Sequence, residues 1–381
     1  MAPIRVGIIG LSSATENISK SPGDGWAASA HLPYLLQSPH YEVTALCNST
    51  VKSAEAAIAR HGLSSSTKAY GNPDDIANDP NVDLVVVSVC VDRHHRLIMP
   101  ALKAGKAAFV EWPLASNLQQ AEEMLAAAKQ SGSKTIVGLQ SRANPLVQKV
   151  KELVDTEVIG DLLSSDITFA LGWPGDVIEA EYMADKKVGG NFLTIIFSHA
   201  ADAALYALGG LDELSASLST RRPNVKLLKA DYSVEKHLVR DTPDHILVQG
   251  KLSNSSAPIS IFARLGKAFP DAPKLVWHIL GTKGEIRVTA NMSLNITMGD
   301  EKLEVFNHET DTVEEIKVEH EKEVKDLNMF GTNIGALYEL YAKGGTVEQG
   351  FVDFEQAVGM HRVIDAIEKS SESGKVEKVA K

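Results

Sequence analysis

His199 and Asp202 stand three residues apart, a spacing that sets two side chains on one face of a helix. An imidazole titrates near neutral pH, so His199 is a candidate general acid or base; a buried, hydrogen-bonded core histidine is the alternative. Upstream, Lys186 and Lys187 precede the pair Gly189-Gly190. Lys187 is a candidate catalytic amine, set against a solvated charged loop. Trp173 and Tyr182 can stack on a sugar or a nicotinamide ring, or pack in a core. Arg142 can bind a carboxylate or phosphate, or pair with an acid.

A second set of residues suits a dinucleotide. Gly10-Leu11-Ser12-Ser13-Ala14 follows an apolar strand, where a phosphate-binding loop belongs. Of the pattern G-x-G-x-x-G, Gly10 survives and Ser12 takes the second glycine position. A serine still permits a fairly close backbone approach and adds a hydroxyl donor. Gly10, Ser12 and Ser13 are therefore candidate cofactor contacts. A loop rich in Ser, Gly and Pro, 15–25, then leads to a helix near Trp26. After the second strand come Asn48, Ser49 and Thr50, with Lys52 close behind. No carboxylate there repels a 2′-phosphate, so the cofactor is NAD or NADP, with NADP allowed. Lys52 as a solvated first-turn residue is the alternative.

These residues require elements to hold them. Ile4 to Ile9, Tyr41 to Cys47 and Val82 to Val89 read as strands, and the unbroken apolar run Leu84 to Val87 suggests burial on both faces. Helical patterns intervene at 52–61, 96–104 and 117–132, with Gly62, Gly105 and Gly132 as stops. Alternating strands and helices imply a parallel sheet. Beyond about residue 135 the texture changes to short alternating strands, such as His245 to Gly250 and Ile259 to Arg264, interrupted by a helix at 200–208. Helices at 333–342 and 354–369 follow, and 370–381 reads as a frayed polar tail. The expected fold is α/β: a Rossmann dinucleotide-binding domain over 1–135, then a C-terminal α+β domain with a largely antiparallel sheet over 136–381, for substrate and oligomerisation.

Glu111-Trp112-Pro113 follows a glycine turn and a short apolar strand. With His94, the segment Val137 to Arg142 before Pro145, and Gly281-Thr282-Lys283-Gly284, it resembles the Gfo/Idh/MocA oxidoreductase family over nearly the whole chain. The resemblance implies that His94, Glu111, Trp112, Pro113 and Arg142 border the cofactor. It also implies a lysine beside the nicotinamide where this sequence has Trp112, and an aspartate where it has Ile195; Phe197 replaces a glycine. An indole is a donor that does not titrate near neutral pH. Gly25-Trp26-Ala27, Val110-Glu111-Trp112 and 243–250 look most like a galactose-regulator branch of the family, whose known activity is to mask a transcription activator. Two functions are thus implied: an NAD(P)-dependent oxidoreductase acting on a sugar, polyol or related hydroxyl compound, or a non-catalytic, dinucleotide-responsive regulator with a protein partner. The resemblance further implies a homo-oligomer built through the open face of the second sheet.

Bulk properties bound the alternatives. The 381 residues carry 49 acidic and 38 basic side chains, net −11, which argues against direct binding to a nucleic-acid backbone. The two cysteines, Cys47 and Cys90, lie in apolar runs and read as buried small hydrophobes. The twelve histidines are dispersed, so no metal site is expected. No signal peptide and no membrane span is visible, and a reducing, cytoplasmic location is the default expectation, nuclear for a regulator.

Overall fold

A computed structural model describes residues 2–12, 25–171, 175–229 and 231–380. Six parallel strands form the first sheet: β1 (Ile4–Ile9), β2 (Tyr41–Cys47), β3 (Lys68–Tyr70), β4 (Leu84–Val87), β5 (Ala107–Val110) and β6 (Thr135–Val137). Their order is β3-β2-β1-β4-β5-β6. The order reverses between β1 and β4, so a crevice opens beyond their carboxyl ends. β4 is buried at all four residues, as its unbroken apolar run requires. β6 straddles the expected domain boundary at 135.

Helices cover both faces. They are α1 (Leu32–Gln37), α2 (Val51–Arg60), α3 (Pro73–Asn78), α4 (His94–Lys103) and α5 (Leu118–Ser131). Local chemistry fixes their ends. Asn117 caps α5 through its side chain, and Gly132 closes it at φ 71°, a conformation that glycine adopts without steric cost. Asn72 likewise caps α3, whose first residue is Pro73.

The second region contains α6 (Pro145–Asp155), α7 (Ser198–Leu208), α8 (Gly331–Lys343) and α9 (Phe354–Ser373). Its strands are β7 (Leu162–Leu171), β8 (Val177–Ile178), β9 (Leu211–Ser219), β10 (Asn224–Leu228), β11 (Val234–Val239), β12 (His245–Leu252), β13 (Pro258–Leu265), β14 (Leu275–Gly281), β15 (Gly284–Ala290), β16 (Lys302–Asn307), β17 (Thr312–Ile316) and β18 (Glu377–Lys378). Nine of them form one sheet, β17-β16-β15-β14-β7-β13-β12-β9-β18. Only β7 and β13 run parallel within it; the sheet is mixed and mostly antiparallel. Its burial alternates, as in β14, where Leu275, Trp277 and Ile279 are buried. A small sheet, β11-β10-β8, stands apart.

Two differences from the sequence reading concern the chain's last third. The expected frayed tail is ordered: α9 runs on to Ser373, and Glu377 and Lys378 pair with Leu214 and Glu213 of β9. Ser370 secures this corner, accepting from the Ala216 N–H at 3.0 Å and donating to the Lys375 carbonyl at 2.6 Å. Side-chain hydroxyls here do work that polarity alone reads as disorder. Secondly, α8 returns to the first sheet, where Ile334, Leu337 and Tyr338 share a core with Val6, Ile8 and Leu84. α9 packs between α5 and β9.

Candidate functional site

The carboxyl ends of β1 and β4 approach closely. Gly10 ends β1 at φ 105°, and a Cβ there would lie 2.4 Å from the Ser88 carbonyl oxygen. Only a glycine fits. The Ser12 carbonyl accepts from His61 Nε2 at 2.8 Å. Asn48 Nδ2 donates to the Leu11 carbonyl at 2.8 Å and to that of Ser53 at 3.2 Å, tying the first loop to α2. The Thr50 hydroxyl is occupied as the α2 cap, accepting from the Ser53 N–H at 3.1 Å. Ser49 and Lys52 are exposed at the mouth. Ser13 lies outside the described residues, as does Trp173.

Glu111, Trp112 and Pro113 leave β5, and all three are buried. Glu111 Oε1 lies 2.8 Å from His31 Nε2, whose Nδ1 lies 2.8 Å from the Tyr338 hydroxyl. The tautomer satisfying both has Nε2–H donating to the carboxylate and Nδ1 accepting from the phenol. Burial holds the Tyr338 phenol well above its ordinary pKa, so it remains a donor. The Pro113 carbonyl faces His94 Nδ1 at 2.9 Å, and His94 Nε2 faces the Val89 carbonyl at 3.0 Å. Burial holds His94 below the usual imidazole range. A neutral ring donates to one carbonyl only, so His94 is a strut between the loops after β4 and β5.

The second region reaches this corner through Gly189 to His199. Gly189, at φ 86°, backs onto Ser116, and a Cβ on Gly190 would lie 3.1 Å from both Val91 and Tyr182. Asn191 Oδ1 accepts from the Leu193 N–H at 3.0 Å and starts a π-helical turn, Leu193–Phe197, that feeds α7. Trp112 Nε1–H is 2.7 Å from both the Thr194 carbonyl and the Ser198 hydroxyl. Its ring packs on His361 of α9, centroids 4.8 Å apart at 47°. Ile195 is half-buried and Phe197 fully buried.

His199 is 4% exposed, and its Nδ1 has no hydrogen-bond partner among the described residues. Burial pushes its pKa down to about 3. Asp202, three residues on, is clamped by Arg142: Nε to Oδ2 is 2.9 Å and Nη2 to Oδ1 2.6 Å. Of the two possibilities for Arg142, pairing with an acid is the one observed. Lys187 is exposed on a short turn, Lys186–Val188, so its ammonium is held by solvent. Lys186 bonds Glu368 at 3.2 Å.

Sequence reasoning missed His31, Tyr338, Gln140 and Ser141. Gln140 and Ser141 follow β6, are fully buried, and leave Gln140 Nε2, Gln140 Oε1 and Ser141 Oγ without partners among the described residues. Their place between a strand end and Arg142 was the available signal. Tyr338 gave none, because the contact spans 307 residues.

These residues fit a dinucleotide in two respects: the strand order and the glycine cradle at Gly10. Among the described residues no group of three or more His, Cys, Asp or Glu is placed to hold a metal, and no helix is long and apolar enough to cross a membrane. Cys47 is buried and Cys90 partly so; both are free thiols.

Known proteins align with this arrangement. Residues 23–139 match the sequence model of Gfo/Idh/MocA, the oxidoreductase family with an NAD-binding Rossmann fold, and residues 145–290 match that of the Gal80p C-terminal domain. The chain is 34% identical over 385 residues to dehydrogenase aclE of Aspergillus oryzae, covering 97% of each. It is 32% identical over 300 residues to the galactose/lactose metabolism regulatory protein GAL80 of Saccharomyces cerevisiae, covering 75% of this chain and 67% of that one. The crystal structure of the transcriptional regulator Gal80p from Kluyveromyces lactis superposes with a TM-score of 0.85 at 29% identity, over 100% of this chain and 92% of that one.

Proposed function

The chain belongs to the Gfo/Idh/MocA oxidoreductase family, with its NAD-binding Rossmann fold, and from that premise we propose that it is an NAD(P)-dependent oxidoreductase acting on a sugar, polyol or related hydroxyl compound. The observation that carries this reading is His199, buried, neutral and with Nδ1 unpartnered. A bound nicotinamide supplies hydride transfer; the protein must position the substrate and handle one proton. For His199 to accept the proton that an alcohol loses, the alkoxide developing beside it as the carbon gives up hydride would have to offset the burial that disfavours the charged ring. A substrate hydroxyl donating to Nδ1 also supplies the partner that the ring lacks. Trp112 and His361 close this corner with aromatic surface and keep water from it.

On this reading Gly10, Ser12, Ser13, Asn48 and Ser49 would hold the pyrophosphate and ribose. Lys52, with no carboxylate beside it, would leave NADP as acceptable as NAD. Residues 1–135 act as the cofactor unit and 136–381 as the substrate and oligomerisation unit, in the cytoplasm.

One observation favours a second reading. The Trp112 N–H is occupied by Thr194 and Ser198, and Asp202 by Arg142, so among the buried, described groups of the inferred site His199 alone is left to carry a proton. A dinucleotide-responsive regulator that binds a protein partner needs no such group.

Titration with NAD, NADH, NADP and NADPH, followed by nicotinamide fluorescence with a panel of sugars and polyols, separates the readings. Cofactor binding with turnover is expected. Binding without turnover on any compound removes the enzyme, and no binding removes both.

A further inference from the structure

Three stretches of chain lead into and out of the small sheet β11-β10-β8, and one buried carboxylate holds all three. Asp244, fully buried just ahead of β12, has both oxygens engaged twice, which uses all of its lone pairs. Oδ1 accepts from the Arg221 N–H at 2.8 Å and lies 2.7 Å from His245 Nδ1. Oδ2 accepts from the Arg222 N–H at 2.7 Å and from the Arg240 guanidinium. Arg221 and Arg222 lie between β9 and β10, and Arg240 follows β11. Arg240 Nη2 also donates to the Gly175 carbonyl at 3.0 Å, just ahead of β8. Burial alone would raise the Asp244 carboxyl; the bonds from Arg221, His245 and Arg222 and the Arg240 charge hold it below its ordinary value. It therefore stays ionised, and its bonds are of the strong, charge-assisted kind.

Beyond this anchor the small sheet is nearly self-contained. Ile178, Ala184, Val225 and Leu227 form an apolar cluster of their own, with Leu238 packed on it. β8, β10 and β11 pack broadly only on one another and on the turn Glu181–Ala184. A satellite core of this kind opens at lower free energy than the main one. The segment after Arg240 carries the turn as well: the Asp241 N–H donates to the Ala184 carbonyl at 3.1 Å, and the Thr242 hydroxyl to that of Met183 at 2.8 Å. The turn in its place sets the Tyr182 ring against Gly190, where Val91 of the loop after β4 also arrives. Tyr182 thus meets both walls of the crevice, one from the first sheet's loops and one from the approach to His199.

We propose that Asp244 is a positioning residue that pins β8, β10 and β11 to the large sheet as one lobe, and that this lobe is a lid whose Glu181–Ala184 turn closes the crevice mouth at Val91 and Gly190. The stretch 243–250, which carries part of the likeness to the regulator branch, then has a physical task, since its second residue is the anchor. Lids of this kind open on microsecond to millisecond timescales and gate access. The inference does not depend on whether the crevice serves catalysis or regulation, because either use needs an entrance.

Two native thiols report on the lid. Cys90, next to Val91, is partly buried and Cys47 fully so. Burial pushes both up to about 11, so a change in one and not in the other reads access. The full chain is labelled with iodoacetamide, each thiol is followed by peptide mass spectrometry, and amide hydrogen exchange is measured in parallel. In Asp244→Asn, peptides from 176–188 and 224–240 are expected to exchange at least about tenfold faster, with β12, β13 and the first sheet within about twofold of wild type. Cys90 is expected to label at least about fivefold faster, with Cys47 unchanged. Tyr182→Ala leaves the Asp244 bonds intact and is expected to speed Cys90 labelling alone, without faster exchange in the lobe. A merely structural aspartate gives neither pattern. Should Asp244→Asn fail to fold, Arg240→Lys, which keeps the cation and shortens its reach, is expected to give the same pattern at about threefold. Faster exchange throughout the molecule, or equal acceleration of both thiols, overturns the anchor. Unchanged Cys90 labelling in the anchor and Tyr182 variants overturns the lid.

Discussion

The indole Nε1–H of Trp112 meets the Ser198 hydroxyl at 2.7 Å, one residue before His199. A side chain from the first sheet's fifth loop thus fixes the first turn of α7 and, with it, the histidine. The tryptophan fills the place where the family resemblance implies a lysine, and it does so with its polar atom bonded and its ring packed on His361.

Trp112→Lys is expected to lower stability by about 3 kcal/mol through lost aromatic packing and, on the proposed oxidoreductase reading, to raise kcat by up to about 10²-fold by supplying a titratable amine. Urea unfolding and steady-state kinetics read the two effects separately. Loss of stability with no gain in rate would place residue 112 away from the proton path.

Asp202→Asn leaves the Arg142 guanidinium buried without its counter-charge, where side-chain exposures are 11% and 1%. The expected cost is about 3–5 kcal/mol. The double variant Arg142→Met, Asp202→Leu should recover most of it, because an apolar pair replaces a buried ion pair at little cost. A denaturant-based double-mutant cycle measures the coupling; additive losses would contradict a closed pair.

His31→Leu removes the group that joins Glu111 to Tyr338. Both partners stay buried and unsatisfied, so a loss of about 3 kcal/mol or more is expected, and the unfolding midpoint reports it. Glu111→Gln keeps a hydrogen-bond acceptor for His31 and should cost clearly less. Equal losses would show that packing rather than the polar chain matters.

Acid should destabilise the fold before its carboxylates protonate. His199 and His361 are both pushed down to about 3 by burial, against an unfolded value near 6.5. Below pH 6.5 the unfolded chain binds protons that the folded chain refuses, so stability falls as pH drops, and the loss is complete near pH 3. The pair contributes a slope of up to about 2.7 kcal/mol per pH unit. His361→Gln should reduce that slope by about half, with the carboxylates common to both proteins cancelling in the difference. Unfolding midpoints at pH 6 and pH 4.5 test this; parallel curves would mean that His361 is hydrated or protonated in the fold.

The first sheet was legible because its signals are local. Unbroken apolar strands and glycine stops such as Gly62 and Gly105 each act within a few residues. Gly10 was legible for the same reason, since a strand running into a glycine turn demands one conformation. Arg142 was visible as a charged residue in an apolar stretch, but its partner was open until α7 was placed. Tyr338 was beyond reach, because its role arises from a long-range return of the chain. The tail reads as disorder on polarity alone, whereas Ser370 bonds two backbone groups and β18 adds to a sheet edge. Residues 307 positions apart, such as His31 and Tyr338, are joined by tertiary packing that local pattern does not encode.

That return of α8 has a bearing on how the protein is made. Tyr338 stacks on Tyr34 at 5.7 Å and Ile334 and Leu337 complete the core around Val6 and Ile8. During synthesis the leading third of the polypeptide emerges with one face of its sheet uncovered, and the helix that seals it is translated some 200 residues later. At about 5–20 residues per second, the nascent chain must hold that aromatic surface for on the order of ten seconds or more. The interval makes this a natural client for holding chaperones, and a premature stop before α8 would release a sticky fragment instead of a small working domain.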